Sequence, residues 1–269
     1  MEAVFHGSIQ NPYLADMNPS QKIFLFFLLW MAYTPVSKAQ SSDATALFRQ
    51  IEAKSNAIAN ESGRVTMSIF DARNRARVRE IDSWTQTNGS DSKVMVRFQA
   101  PADVKGTALL TLSQGGKDVQ KLYLPSVGRI QTIGAAQLSD RFMGSDFLFD
   151  DLRPVSYADF TFETKEKSAT RWLVRGTPTT ARTFAYADYV VDPVRLLLLE
   201  ATYYNAQGKA TRKLTVEQIT EVRPGVFRGD LLIMRDLVAN RRTELRWSNR
   251  VVDKTIPASM FTERELTRF

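Results

Sequence analysis

Cysteine is absent from the sequence, so an oxidising compartment has no disulfide to form and no thiolate is available as nucleophile or soft metal ligand. The lipobox cysteine required for N-terminal acylation is missing with it. Histidine is almost as scarce: His6 stands alone, in a stretch that the reading below removes from the working chain. Without imidazole or thiol, Ser-His-Asp and Cys-His nucleophile activation and the usual zinc sites are excluded together. The reading needs no cofactor and no metal. Long apolar runs are missing too. Ile23–Tyr33 has eleven residues, about half of the ~20 that a helix needs to span a bilayer, and no later run matches it. No linker, low-complexity stretch or internal repeat divides the chain. Its net charge of +7 suits an anionic membrane surface or an acidic partner and falls short of a nucleic-acid-binding stripe. Lys105-Gly106-Thr107 lacks the spacing of a phosphate loop and reads as a turn.

What is present begins with an export signal. Lys22 precedes Ile23–Tyr33 and Thr34-Pro35-Val36-Ser37-Lys38-Ala39 follows it, so charge, apolar core and small-residue exit occur in order. Signal peptides start close to their charge, which places the functional start at Met17 and makes Met1–Asp16, with Glu2, His6, Pro12 and Asp16, an upstream leader. Ser37 and Ala39 fit the small-residue positions of a peptidase site, leaving Gln40 as the new N-terminus; a retained anchor is the alternative. Removing residues 1–39 takes away Lys22 and Lys38 together with Glu2 and Asp16, so the net charge stays at +7. Residues 40–269 then form one domain.

Within that domain, Asp43 is expected to cap a helix in which Ala44, Leu47, Phe48, Ile51 and Ile58 recur near the 3.6-residue period, with an exit at Asn60–Gly63. The period then changes to two. Val65, Met67 and Ile69 alternate with polar residues, and Val94, Val96 and Phe98 do so before Pro101. Strand-like runs follow at 107–113, 118–124, 128–133, 158–166, 170–177, 184–191, 195–204, 210–220, 226–235 and 242–251. Asn88-Gly89, Gly115-Gly116, Asn205–Gly208 and Pro224-Gly225 punctuate them as hairpin turns do. The pattern predicts a mainly β domain built on one meandering antiparallel sheet of about eleven strands, with little helix to cover it. A curved sheet so thinly covered leaves an apolar hollow that suits a lipid. Two segments break the rhythm: Gln137–Leu152, read as a short helix, a glycine break and a second helical turn, and the amphipathic stretch after Ile256-Pro257 with Met260, Phe261 and Leu266.

Several stretches taken in order are more specific than any one alone. They are Phe98-Gln-Ala-Pro101-Ala-Asp103-Val-Lys105-Gly106-Thr107-Ala108, Leu122-Tyr123-Leu124-Pro125 with Arg129, and Phe142-Met-Gly144-Ser145-Asp146-Phe147 through Asp151-Leu152. Asp188–Leu199, the Tyr203–Lys209 turn and Thr243 through Ile256-Pro257 to Thr262 continue the series. Together they resemble the outer-membrane lipoprotein-sorting protein family, relatives of the LolA-type periplasmic carriers, over nearly all of residues 40–269. Leu148 departs from the aromatic or polar residue often found there. The resemblance implies a half-open antiparallel β-barrel (LolA/LppX-like) with an N-terminal helix and short helical lid elements. It further implies a periplasmic location, a cavity for the acyl chains of a lipid or lipoprotein, and companionship with RND-type or ABC-type inner-membrane transporters.

Site candidates follow from both readings. Met67, Ile69, Val94, Val96, Phe98, Leu110, Leu112 and Leu122 would face the cavity from the sheet, and Phe142, Met143, Phe147, Phe149 and Leu152 would close it as a lid. Ordinary core packing is the competing reading for each. Arg73, Arg75, Arg77 and Arg79 alternate around a hairpin, where they would meet anionic headgroups or an acidic docking surface, or form a solvated strand edge. Ser145 beside Asp146 lacks a base and is better read as a turn cap after the Gly144 break. The sequence therefore describes a monomeric periplasmic carrier that binds rather than catalyses, with a non-carrier accessory subunit docking an exporter as its rival. Mass spectrometry of the exported chain should return an N-terminus at or near Gln40; one upstream of Ile23 would overturn cleavage.

Overall fold

The computed structural model describes residues 37–268; the expected leader and the apolar core of the expected export signal lie outside them. The compact unit considered below is Gln40–Phe269. The first described element, α1 (Ser37–Ser55), begins earlier than expected, so Asp43 is no cap. Its carboxylate instead meets Lys167 Nζ at 2.9 Å. Ala44, Leu47, Phe48 and Ile51 nevertheless form the buried stripe that the helical period predicts, while Ile58 lies beyond the helix and Asn60–Gly63, expected as its exit, already belong to a strand.

Among the described residues, thirteen strands form a single antiparallel sheet. The first six are β1 (Asn60–Phe70), β2 (Ala76–Asn88), β3 (Asp91–Ala100), β4 (Ala108–Gln114), β5 (Lys117–Leu124) and β6 (Arg129–Thr132). The other seven are β7 (Phe160–Lys167), β8 (Trp172–Pro178), β9 (Tyr186–Asp192), β10 (Leu197–Tyr204), β11 (Ala210–Arg223), β12 (Val226–Asp236) and β13 (Arg241–Val252). Each run meanders, and β1 pairs with β13 to join them, giving the order β6-β5-β4-β3-β2-β1-β13-β12-β11-β10-β9-β8-β7. The sheet curls without closing, a half-open barrel. Its edges, β6 and β7, are consecutive in the chain, so residues 133–159 must run from one edge to the other. The strand that the sequence pattern hides is β2. Its inward positions include Arg79, Ser83 and Thr85 as well as Ile81, which blurs the apolar alternation.

Two covers lie against the concave face. Over the β7–β10 half, Phe48 of α1 stacks on Phe162 at 4.2 Å between ring centroids and meets Tyr189 edge-on at 5.4 Å. Over the other half, Phe142, Phe147 and Phe149 of the crossing segment pack on Met67, Ile81, Phe98, Leu109 and Leu122. The crossing segment is built from short 3-10 turns at Ala135–Gln137, Phe142–Gly144 and Phe149–Leu152, and Gly144 takes the φ of +74° that breaks it.

The convex face carries a third cluster. A 3-10 turn, Ala258–Phe261, and α2 (Glu263–Leu266) lay Ile256, Phe261 and Leu266 over Met95, Ala108, Leu110 and Tyr123. This corrects the expected orientation of β4. Leu110 and Leu112 point outward beneath the C-terminal segment, while Leu109 and Thr111 point inward. Because β4 is covered on both sides, nearly all of it is buried and its alternation carries no direction.

Gly176 of β8 is where the aromatic cluster needs a missing side chain. A Cβ there would lie 2.6 Å from a Tyr189 ring carbon and 3.0 Å from a Phe162 ring carbon, both on buried rings. Gly176→Ala should cost about 1–3 kcal/mol by overpacking, or roughly 2–4 °C of melting temperature per kcal/mol for a chain of this size. A melt unchanged from wild type would show that the rings are free to move aside.

Candidate functional site

Between the sheet and the crossing segment lies a cavity of about 280 Å³. Its wall is apolar: Val65, Met67, Ile81, Val94, Val96, Leu109, Leu232, Leu245 and Trp247 from the strands, and Phe142, Phe147 and Leu152 from the crossing segment. Ser62, Ser83, Thr85 and Thr111 add hydroxyls but no charge. Glu61 and Asp151 stand at its end, and there, sharing Thr85, Val94 and Leu152 as well, it continues into a wider hollow of about 730 Å³ with mixed lining. Small-molecule pockets span roughly 300–1,000 Å³, so the joined space is ample for a flexible apolar chain with a polar end.

Of the sequence-derived candidates, Met67, Val94, Val96, Phe142, Phe147 and Leu152 line this cavity. Ile69, Phe98, Leu122 and Phe149 belong to the packed core around it, and Met143 packs against that core. Leu110 and Leu112 lie on the other face. Sequence reasoning missed Val65, Ile81, Leu109, Leu232, Leu245 and Trp247. Val65 was visible as part of the same alternation as Met67, but no local signal announces that Leu232 and Leu245, from the far end of the chain, sit beside it.

The crossing segment is held down by carboxylates. Asp146 is fully buried; its N–H donates to Thr243 Oγ1 at 2.9 Å, and that hydroxyl donates back to Asp146 Oδ2 at 2.8 Å. Arg141 donates to both Asp146 and Asp236, and Arg241 lies 3.4 Å from Asp146. Asp150 accepts from Arg153 at 3.0 Å, Arg182 at 3.2 Å and the Thr183 hydroxyl at 3.0 Å. Asp151 accepts from Arg212 and from the Leu148 N–H. Ser145 makes a local turn, accepting from the Phe147 N–H at 3.2 Å. Burial works to raise the Asp236 carboxyl, but the Ala239 N–H, Arg141 and the Val238 N–H outweigh it and hold it below the ordinary range. Burial pushes the Asp151 carboxyl up despite Arg212, and pushes the Tyr157 hydroxyl, nearby in the hollow, up to about 12. Polar side chains of the sheet also reach the segment: the Gln120 amide donates to Phe149 O at 3.1 Å.

The four arginines divide. Arg79 is buried, donates to Met143 O and lies 5.8 Å over Phe98, so it fastens the crossing segment. Desolvation lowers its pKa, with Arg77 adding repulsion. Arg73, Arg75 and Arg77 are exposed, the first two in the β1–β2 turn and the third at the start of β2.

Among the described residues no helix is long and apolar enough to cross a membrane, and no group of side chains is arranged to hold a metal ion. Comparison with solved structures places this architecture. An outer-membrane lipoprotein-sorting protein domain from Vibrio parahaemolyticus superposes with a TM-score of 0.78 at 22% identity, covering 83% of this chain and 98% of that one. A DUF1329 family protein from Desulfovibrio piger gives 0.79 at 19%, covering 84% and 99%. A LolA superfamily protein from Nitrosomonas europaea gives 0.64 at 16%, covering 81% and 98%. No curated protein sequence matches. A family model described as "Uncharacterized protein" matches residues 90–268. The chain belongs to the family of that model, and its fold is that of the outer-membrane lipoprotein-sorting, LolA-superfamily and DUF1329 structures.

Proposed function

We propose that the protein is a periplasmic carrier that takes the acyl chains of a lipid or lipoprotein into the lidded cavity and passes them between membrane-bound partners. The observation that carries this reading is the cavity itself: a mostly apolar space of about 280 Å³, with Glu61 and Asp151 only at the end where it meets the wider hollow. Packed interiors leave few voids larger than a water molecule, so a space of this size supports a ligand-binding role. Apolar burial at about 25 cal/mol per Å² makes an acyl chain a substantial ligand, and the few hydroxyls in the wall offer no strong hold against release. Residues 133–159 serve as the lid, and the mixed hollow beside the cavity accommodates the polar end of the cargo. Similarity to a structure described as a lipoprotein-sorting protein domain supports the same reading. Inner-membrane transporters of the RND or ABC type are the proposed partners.

Two experiments test it. Val96→Trp puts an indole into the free space from the inward face of β3. Binding of a fluorescent fatty acid should fall at least tenfold with little change in melting temperature, whereas a filled core would lose about 1–3 kcal/mol; undiminished binding would sink the acyl-chain reading. Asp146→Asn removes the charge that Arg141 and Arg241 share. Loss of one charged hydrogen-bond partner costs on the order of 2 kcal/mol, and release of the fatty acid in stopped-flow should become several-fold faster. An unchanged release rate would mean that the segment is no gate.

A further inference from the structure

We propose that one rim of the half-barrel docks directly on an anionic lipid bilayer, with Leu237 and Val238 entering the interface and a row of basic residues meeting the headgroups. Strand alternation puts the β5–β6, β3–β4, β1–β2, β12–β13 and β10–β11 connections side by side along one end of the sheet. Hydrogen bonding confirms the neighbours at its centre. Arg242 Nη1 donates to Asn74 Oδ1 at 2.6 Å, tying the β12–β13 hairpin to the β1–β2 turn, and the Leu237 N–H donates to Thr211 O at 2.9 Å beside the β10–β11 turn.

The tips carry a paired chemistry. Leu237 and Val238, at 46% and 63% exposure, stand at the apex of the β12–β13 hairpin, and Val127 is exposed in the β5–β6 turn. Around them Lys105, Arg73, Arg75, Arg77, Arg129 and Lys209 are exposed. The acids on the same rim are fewer and mostly engaged. Asp71 is paired with Arg75 at 2.6 Å and held at about 2, chiefly by the Arg75 N–H. Asp236 is buried against Arg141, leaving Asp103 exposed. A solvated apex does not require aliphatic residues. Aliphatic tips inside a basic border match an anionic membrane surface, where burial of the apolar groups and attraction of the cations add.

The apex is also rigid. Asp236 Oδ1 accepts from the Val238 and Ala239 N–H groups at 2.9 and 2.7 Å, which presents Leu237 and Val238 in one fixed turn. The other carboxylate oxygen of Asp236 accepts from Arg141, and Arg241 donates to Gly144 O at 2.9 Å. The docking hairpin is therefore bonded to the segment over the cavity.

Sedimentation with vesicles tests the proposal. Purified protein should pellet with vesicles of phosphatidylcholine containing phosphatidylglycerol and remain in solution with phosphatidylcholine alone. Leu237→Ser with Val238→Ser, and separately Arg73→Glu with Arg75→Glu, should each weaken that partition roughly tenfold or more, with melting temperatures near wild type because the altered side chains are exposed. Absence of pelleting at about 0.1 M salt, or partition that neither pair alters, would overturn membrane docking; the former would assign the basic row to an acidic protein. Neither pair touches the cavity wall, so fatty-acid binding should persist in both, and failure here leaves the carrier reading standing.

Discussion

The pairing of β1 with β13 is the constraint on which the rest depends. It splices two antiparallel meanders into one sheet, with Val65 opposite Trp247, Met67 opposite Leu245 and Ile69 opposite Thr243. Once the ends of the chain meet at the centre, the middle of the chain is forced to the two outer edges. The connection between those edges has one short route, across the mouth of the curled sheet. The crossing segment is thus a consequence of strand order, and the cavity is the space that it and the curled strands fail to fill.

A segment that crosses a concave apolar surface faces a conflict, because its backbone and its acids enter a poorly hydrated space. The structure resolves it by pairing. Asp146, Asp150 and Asp151 each find partners from a different part of the sheet: β13 with Arg141, the β8–β9 connection, and β11. Gln120 and Arg79 serve backbone carbonyls of the same segment. Buried pairs of this kind are weak evidence for stability and better evidence for a unique arrangement. They fix where the aromatic side chains sit, and only Asp151 among them reaches the cavity, at its end, which leaves the rest of the wall apolar.

How much of this was legible depended on whether a residue's environment came from its neighbours in sequence. The α1 stripe, the turn chemistry of Asn88-Gly89 and Gly115-Gly116, and the C-terminal Met260–Leu266 stretch are local signals, and each was readable. The strand β2 was not, since its inward face mixes Arg79, Ser83 and Thr85 with Ile81. In β4, Leu110 and Leu112 were expected to face the cavity; the fold turns them outward because α2 shields them, and the buried Thr111 hydroxyl accepts from the Gln120 amide at 3.4 Å.

By itself, the sequence determined the absence of thiol and of all imidazole but His6, the mainly β character, the meander and the segment that interrupts the strand rhythm, because composition and short periodicities carry those. Tertiary structure alone decided which apolar residues face free space. That choice depends on strand parity and on what covers the opposite face, as Leu109 and Leu110 illustrate from adjacent positions. It also decided that the arginine series is not one surface. Arg79 is drawn under Met143 to satisfy a carbonyl, while Arg73 and Arg75, a few residues earlier, remain in solvent beside a hairpin contributed by the other end of the chain.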